Sequence, residues 1–186
     1  MKRVELPSAK ILREILDYNP ETGSLVWRQR ALSFFRDDPR WSAEQSQKRW
    51  NSKNAGRPAM SYAAARGHKQ GAIFGKLYLS HRVCWKIFHG SDPVGEVDHI
   101  NGNPSDNRIS NLRDVSHQDN MRNRRLISGS HSLVFGIRRV RNGWRVRIGN
   151  AGIGTFECVG AAISARKEAE RMNGYHENHG RPAKCL

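Results

Sequence analysis

Val97-Asp98-His99-Ile100-Asn101-Gly102-Asn103-Pro104-Ser105-Asp106-Asn107-Arg108-Ile109-Ser110-Asn111-Leu112-Arg113 is the stretch that decides how this chain reads. A short strand ends in Asp98-His99, and the Gly, Asn and Pro residues after it turn the chain. Ile109, Leu112 and Val115 supply a second, weaker strand. Ser116 followed three residues later by Asp119 fits a capping pattern, so a helix starts there. The order is strand, loop, strand, helix: a ββα unit. Such a unit brings the end of its first strand against the first turn of its helix. Asp98 then faces Asn120, and the two offer oxygen ligands to a hard cation. His99 points to the other side of its strand, where an imidazole can take a proton from an attacking water near neutral pH. A cation beside it would neutralise a phosphate and stabilise a departing oxyanion. The chemistry is phosphodiester hydrolysis.

These residues resemble the HNH endonuclease family, in the variant common in phage genomes and intron-encoded homing nucleases. Val97 to Asn103, Asp106-Asn107-Arg108, Asn111-Leu112-Arg113 and Asn120 with Asn123 carry the likeness. Asn111 lies 12 residues after His99 and Asn120 lies 21 after it, which is the family's spacing. The third position is Asn rather than His, an H-N-N variant. The resemblance implies His99 as general base, Asp98 and Asn120 as metal ligands, and Asn111 as the residue that holds the loop and orients His99. It implies Mg²⁺, with Mn²⁺ as a substitute, and no zinc. Arg108, Arg113, Arg122, Arg124 and Arg125 surround the unit, and Arg113 and Arg124 are taken as DNA contacts.

Charge agrees with a polyanion partner. The chain of 186 residues carries 32 Lys and Arg against 17 Asp and Glu, a net charge of +15. Each phosphate neutralised on binding releases counterions, so excess positive charge favours nucleic acid. No run approaches the ~18 apolar residues that cross a bilayer, and Met1 to Pro7 lacks the apolar core of a signal peptide. The resemblance to phage-type nucleases implies action in the bacterial host cytoplasm. Cys84, Cys158 and Cys185 form no Cys-x-x-Cys pair, which excludes a disulfide framework and an all-cysteine zinc site.

Elsewhere, Ile11, Leu12, Ile15 and Leu16 have helical spacing after Ser8, a natural N-cap. Asn19 to Gly23 turn the chain before a strand at Leu25-Val26-Trp27. Residues 33–54 read as a loop-rich insertion with a short helix, carrying Trp41 and Trp50. Ala72-Ile73-Phe74 and Leu77-Tyr78-Leu79 flank Gly75-Lys76 as a hairpin with a type II′ turn. Ser80 caps a helix through Phe88, ended by Gly90. His81 is expected to pack against the catalytic unit. His117 reads as a solvated helix-start residue and His176 with His179 as a surface turn, while His68, His89 and His131 carry no pattern.

The last part alternates. Trp144, Val146 and Ile148 interleave with Arg145 and Arg147, the period of a strand with one buried and one basic face. Asn142-Gly143 marks a hairpin between Ile137–Arg141 and Trp144–Ile148, and Gly154-Thr155-Phe156 offers a third strand. Ala162, Ala165, Ala169 and Met172 line one face of a helix from Ala161 to Asn173, closed by Gly174. Phe135 to Arg138, Gly143 to Ile148 and Gly152 to Phe156 resemble the APETALA2-type (AP2-like) DNA-binding domain, whose sheet enters the major groove. That likeness implies Arg138, Arg145 and Arg147 as DNA contacts, with Trp144 either stacking on the backbone or packing inside.

The expected architecture is α+β: a ββα-metal nuclease unit over residues 72–127 and a three-stranded antiparallel sheet with one helix over 128–186. Residues 1–71 carry no assigned role. The expected activity is metal-dependent cleavage of double-stranded DNA by a monomer or a homodimer, encoded by a phage or mobile element. The rival readings are a DNA-binding regulator without catalysis and an RNA-binding protein.

Overall fold

The computed structural model describes residues 5–122, 134–177 and 179–180. They form two compact units, residues 1–114 and 115–186. No helix among the described residues is long and apolar enough to cross a membrane.

The first unit opens with α1 (Ala9–Ile15), whose N-cap Ser8 accepts the Ile11 amide. Its Leu12 and Ile15 are fully buried. Strands β1 (Leu16–Asn19) and β2 (Ser24–Trp27) pair antiparallel across the expected turn. Asn19 Oδ1 accepts the amides of Glu21 and Thr22, and Gly23 takes a positive φ of 72° to close it.

Helix α2 (Ala43–Asn54) is longer than the short helix expected there, because Ser42 and Gln45 form a full capping box at its start. It brings Trp50 over the Arg30 guanidinium at 3.8 Å, with Trp27 set edge-on to Trp50 at 5.4 Å. Trp50 is thus a packing residue, while Trp41 stays exposed.

β3 (Tyr62–Ala63), β4 (Lys69–Ile73) and β5 (Lys76–Leu79) make a three-stranded antiparallel sheet. Ile73 pairs with Lys76, so the two-residue loop is Phe74-Gly75 and not Gly75-Lys76. Both loop residues have positive φ, 50° and 77°, which is type I′ and not II′. Its twist matches the flanking strands, which outweighs the strain of placing Phe there.

α3 (Ser80–His89) follows directly. Ser80 is its first residue and not its cap; the hydroxyl is buried and donates instead to the Met60 carbonyl at 2.6 Å. Gly90 ends the helix at φ 79° as expected. Ile73, Val83, Cys84 and Leu112 join Leu12, Ile15 and Leu25 in one core. Burial pushes the Cys84 thiol well above its ordinary pKa, so it is a packing group. β6 (Glu96–His99) is hydrogen-bonded to β7 (Leu112–Val115), and residues 109–111 form a 3₁₀ turn rather than strand.

The second unit begins with α4 (His117–Met121), capped by Ser116 accepting from the Asp119 amide as the sequence predicts. β8 (Ile137–Val140), β9 (Gly143–Ile148) and β10 (Ala151–Phe156) form an antiparallel sheet with β9 central. Val140 pairs with Gly143, which makes Arg141-Asn142 the hairpin loop.

α5 (Val159–Met172) packs on this sheet, its first turn capped by the Cys158 sulfur accepting from Ala161. Its inward row is Ala162, Arg166 and Glu170, not the expected alanine stripe, and Met172 is 78% exposed. Arg166 and Glu170 pair at 2.9 Å inside the unit, so a long side chain is buried there with its partner.

Candidate active site

The loop between β6 and β7 is tied by its own side chains. The Asn101 amide donates to Asn111 Oδ1 at 2.9 Å, and Asn111 Nδ2 donates to the Asp106 carbonyl at 2.8 Å. Asn101 Nδ2 reaches Asp106 Oδ2, and Asp106 also takes two hydrogen bonds from the Arg108 guanidinium. Those bonds to Arg108 lower the Asp106 carboxyl to about 2. Asn111, with a rather small polar side chain, is 5% exposed and works as the loop's internal strut.

Residues 1–71, left without a role by the sequence, hold this loop from outside. Tyr18 Oη donates to the Asn107 carbonyl at 2.7 Å. The Ile109 amide donates to the Pro20 carbonyl at 3.0 Å, and Ser105 Oγ donates to the Gly67 carbonyl at 2.9 Å. Burial first, then the nearby Cys84 and Asp106, raise the Tyr18 phenol above its ordinary pKa, so it stays a donor.

His99 stands at the end of β6, buried, with its Nε2 3.2 Å from Asn107 Oδ1. An amide oxygen only accepts, so Nε2 carries the proton and the lone pair sits on Nδ1. Asn107, equally buried, is the side chain that meets the His99 ring; its spacing gave no signal for that role. Asp98, the preceding residue, accepts from Arg113 Nε at 3.1 Å and Nη2 at 2.8 Å. Arg113, expected at DNA, is thereby engaged with the carboxylate.

Two further imidazoles flank His99. His81 on α3 lies at a ring-centroid distance of 5.2 Å, and His68, at the start of β4, at 5.6 Å. His81 and His68 are themselves 4.9 Å apart. Burial, then His99 and His68, then Arg82, push the His81 ring down to about 3; burial leads the lowering at His68 as well, followed by His99 and Arg66. Both are neutral imidazoles at neutral pH. His81 packs where the sequence expected it, against the β6 histidine. His68 was missed: it lies 31 residues before His99 with no motif around it, and only the β3–β4 turn brings it in.

In the second unit, Asn120 lies on α4 behind the Ser116 cap. Arg138 and Arg145 are paired across β8 and β9, and both are exposed together with Arg147. Arg147 Nη2 donates to the Asn150 carbonyl at 2.9 Å. Trp144 is half-buried on the opposite face, against the cluster of Ile137, Val146 and Ala162, with Arg139 over its ring at 5.1 Å. It packs inward. A cleft of about 660 Å³ on this unit is lined by Arg122, Arg138, Arg145, Arg147 and Arg166. His179 is buried beside Tyr175 and 3.8 Å from Glu170, so it is not the surface-turn residue expected. Arg124 lies outside the described residues, as do Asn123, Arg125 and His131.

Residues 78–122 match the HNH endonuclease family model. No curated protein and no solved structure matches the chain. The family match points to nuclease activity on DNA, and HNH nucleases in general use a divalent metal.

Proposed function

We propose that the protein is a divalent-metal-dependent DNA endonuclease with His99 as its general base. The observation that carries this reading is the buried His99–Asn107 pair inside the family-matched stretch, beside Asp98. Asn107 fixes the tautomer, and the Nδ1 lone pair takes the proton of an attacking water. The oxygen of that water bonds to phosphorus while the P–O3′ bond breaks; O3′ leaves with the bond's electron pair and takes a proton from solvent, giving 5′-phosphate and 3′-hydroxyl ends. Asn111 holds the loop that presents His99.

The donor chemistry suits Mg²⁺ or Mn²⁺, because the Asp98 carboxylate and the Asn120 amide oxygen are hard oxygens. Those two residues would hold the ion. When bound it supplies charge neutralisation at the phosphate and the departing oxygen. Arg113 steadies Asp98 through its two hydrogen bonds.

The second unit is read as the targeting module. Its exposed Arg138, Arg145 and Arg147 lie on one strand-borne surface of a three-stranded sheet backed by a helix, an arrangement in keeping with an AP2-like domain docking in the major groove. A homing-type role in a phage or mobile element follows from the two likenesses together. A single ββα centre cuts one strand, so a monomer nicks and a homodimer breaks both.

The test is supercoiled plasmid incubated with wild type or His99→Ala in Mg²⁺, Mn²⁺ or EDTA. Metal-dependent conversion to open circles, lost in His99→Ala while DNA binding persists, supports the reading. Binding without cleavage under every metal, including on DNA flanking the gene, overturns it. That outcome would favour the second reading, a DNA-binding regulator, which has one observation behind it: Arg113 already neutralises Asp98.

A further inference from the structure

We propose that His68, His81 and His99 form a binding site for a borderline divalent cation of the Zn²⁺ type, and that an ion seated there inhibits cleavage by occupying the base. The inhibitory half rests on the nuclease reading above; the binding half does not.

Each of the three rings offers a nitrogen, and these ligand atoms all lie within 4.8 Å of one another. A tetrahedral Zn²⁺ with Zn–N bonds of about 2.05 Å sets its nitrogens about 3.3 Å apart. The rings therefore need to close by about 1.5 Å at most, within reach of side-chain rotation. His68 follows a turn in which Arg66 and Gly67 both have positive φ and Ser105 Oγ donates to the Gly67 carbonyl, so the ring is carried on a loop and not inside a helix. All three donors are imidazoles. That set suits Zn²⁺, Co²⁺ or Ni²⁺ and disfavours Mg²⁺, which requires oxygen.

A second observation points the same way. Among the described residues, Nδ1 of His68 and Nδ1 of His81 are buried with no hydrogen-bond partner. Such orphaned groups are costly in an interior and call for a reason. His81 is 5% exposed, and its neighbours in the cluster are the other two rings. An ion shared by the rings supplies the missing partner.

The geometry at His99 makes the two roles exclusive. Its Nε2–H is committed to Asn107, so coordination uses the Nδ1 lone pair that would otherwise take the proton. Arg66 and Arg82 place positive charge near the cluster, which weakens its hold on a dication. The site is therefore one that loads and unloads with the supply of the ion, unlike a closed structural zinc site.

The test uses the full chain stripped with EDTA, with Co²⁺ as the spectroscopic probe. Wild type should take up Co²⁺ with the intense visible bands of low coordination. His68→Asn and His81→Asn should each lose affinity on the order of tenfold or more, since even outer-shell changes cost that much. His68 lies on a turn, so His68→Asn decides the matter if circular dichroism shows His81→Asn misfolded. In the plasmid assay with Mg²⁺ in excess, added Zn²⁺ should slow wild type strongly relative to its own zinc-free rate. His68→Asn should be slowed far less relative to its own. A Co²⁺ spectrum like the aqua ion, or equal affinity in wild type and folded variants, overturns the site. Zinc inhibition equal in wild type and His68→Asn overturns its inhibitory role. If no cleavage occurs with Mg²⁺, the nuclease reading fails alone, and the Co²⁺ result still decides the site.

Discussion

The Tyr18 phenol donates to the Asn107 carbonyl at 2.7 Å across 89 residues of sequence, and Asn107 in turn holds the His99 ring. The first hairpin of the chain thus reaches the proposed base through one intermediary. Tyr18→Phe deletes the donor and leaves the ring in place. A net hydrogen bond of about 1 kcal/mol, expressed fully at the transition state, corresponds to about a fivefold fall in kcat. DNA affinity should stay at the wild-type value. Single-turnover cleavage at saturating protein separates the two, and an unchanged rate would sever Tyr18 from the site.

Gly23 tests the same buttress by steric means. A Cβ built there would lie 2.5 Å from the Arg108 nitrogen and 2.5 Å from the Asn107 carbonyl carbon, both main-chain atoms. Its φ of 72° already disfavours any side chain. Gly23→Ala must displace the hairpin or the loop. We expect a lower urea midpoint and a larger loss of cleavage than Tyr18→Phe causes. A Gly23→Ala protein as stable and active as wild type would show that this contact does not position Asn107.

How much of this could be read from sequence depends on whether the determinant is local. Ser8, Ser116 and Gly90 act within a turn of their own position, and the structure places each as read. The β6–loop–β7 order is legible for the same reason, since Asn and Gly at fixed offsets impose it. His68, Tyr18 and Asn107 are different. Their roles come from the β3–β4 turn and the β1–β2 hairpin meeting the loop, and no periodicity encodes a contact across 89 residues. At α5 the alanines suggested the buried stripe, but the Arg166–Glu170 pair satisfies its own charges and takes the inward row. The type I′ loop at Phe74-Gly75 was misplaced by one residue because Phe at positive φ is a choice that strand twist, not propensity, makes.

Acid should destabilise the first unit through His81. Burial lowers its folded-state pKa from 6.5 to about 3, so the ring is neutral in the folded protein where the unfolded chain is already protonated. Its contribution is complete above 6.5 and is lost as pH falls from 6.5 toward about 3. His68 is shifted in the same direction. One such proton corresponds to a slope of about 1.4 kcal/mol per pH unit inside that window. Urea melts in EDTA between neutral and mildly acid pH should show the slope, and His81→Gln should be shallower by about one proton's worth. Parallel curves for the two proteins would remove His81 as the cause.

The arginines of the second unit give a prediction that separates phosphate contact from mere surface charge. Arg138 and Arg145 face each other across β8 and β9, and Arg147 follows two residues on along the same strand. If each meets one phosphate, replacing one by Ala reduces the slope of log Kd against log salt by about 0.9. A solvated arginine, by contrast, lowers affinity weakly and leaves the slope nearly untouched. Fluorescence anisotropy on a duplex over a series of salt concentrations measures both quantities, with His99→Ala in the background so that the DNA stays whole. Arg145→Ala should shift the slope most, because β9 is the central strand and Arg145 sits between its two neighbours. Trp144→Phe, which keeps the ring against Ile137 and Val146, should leave the slope unchanged, since the tryptophan packs on the opposite face. A slope lowered by Trp144→Phe and not by Arg145→Ala would put the wrong face of the sheet on the DNA.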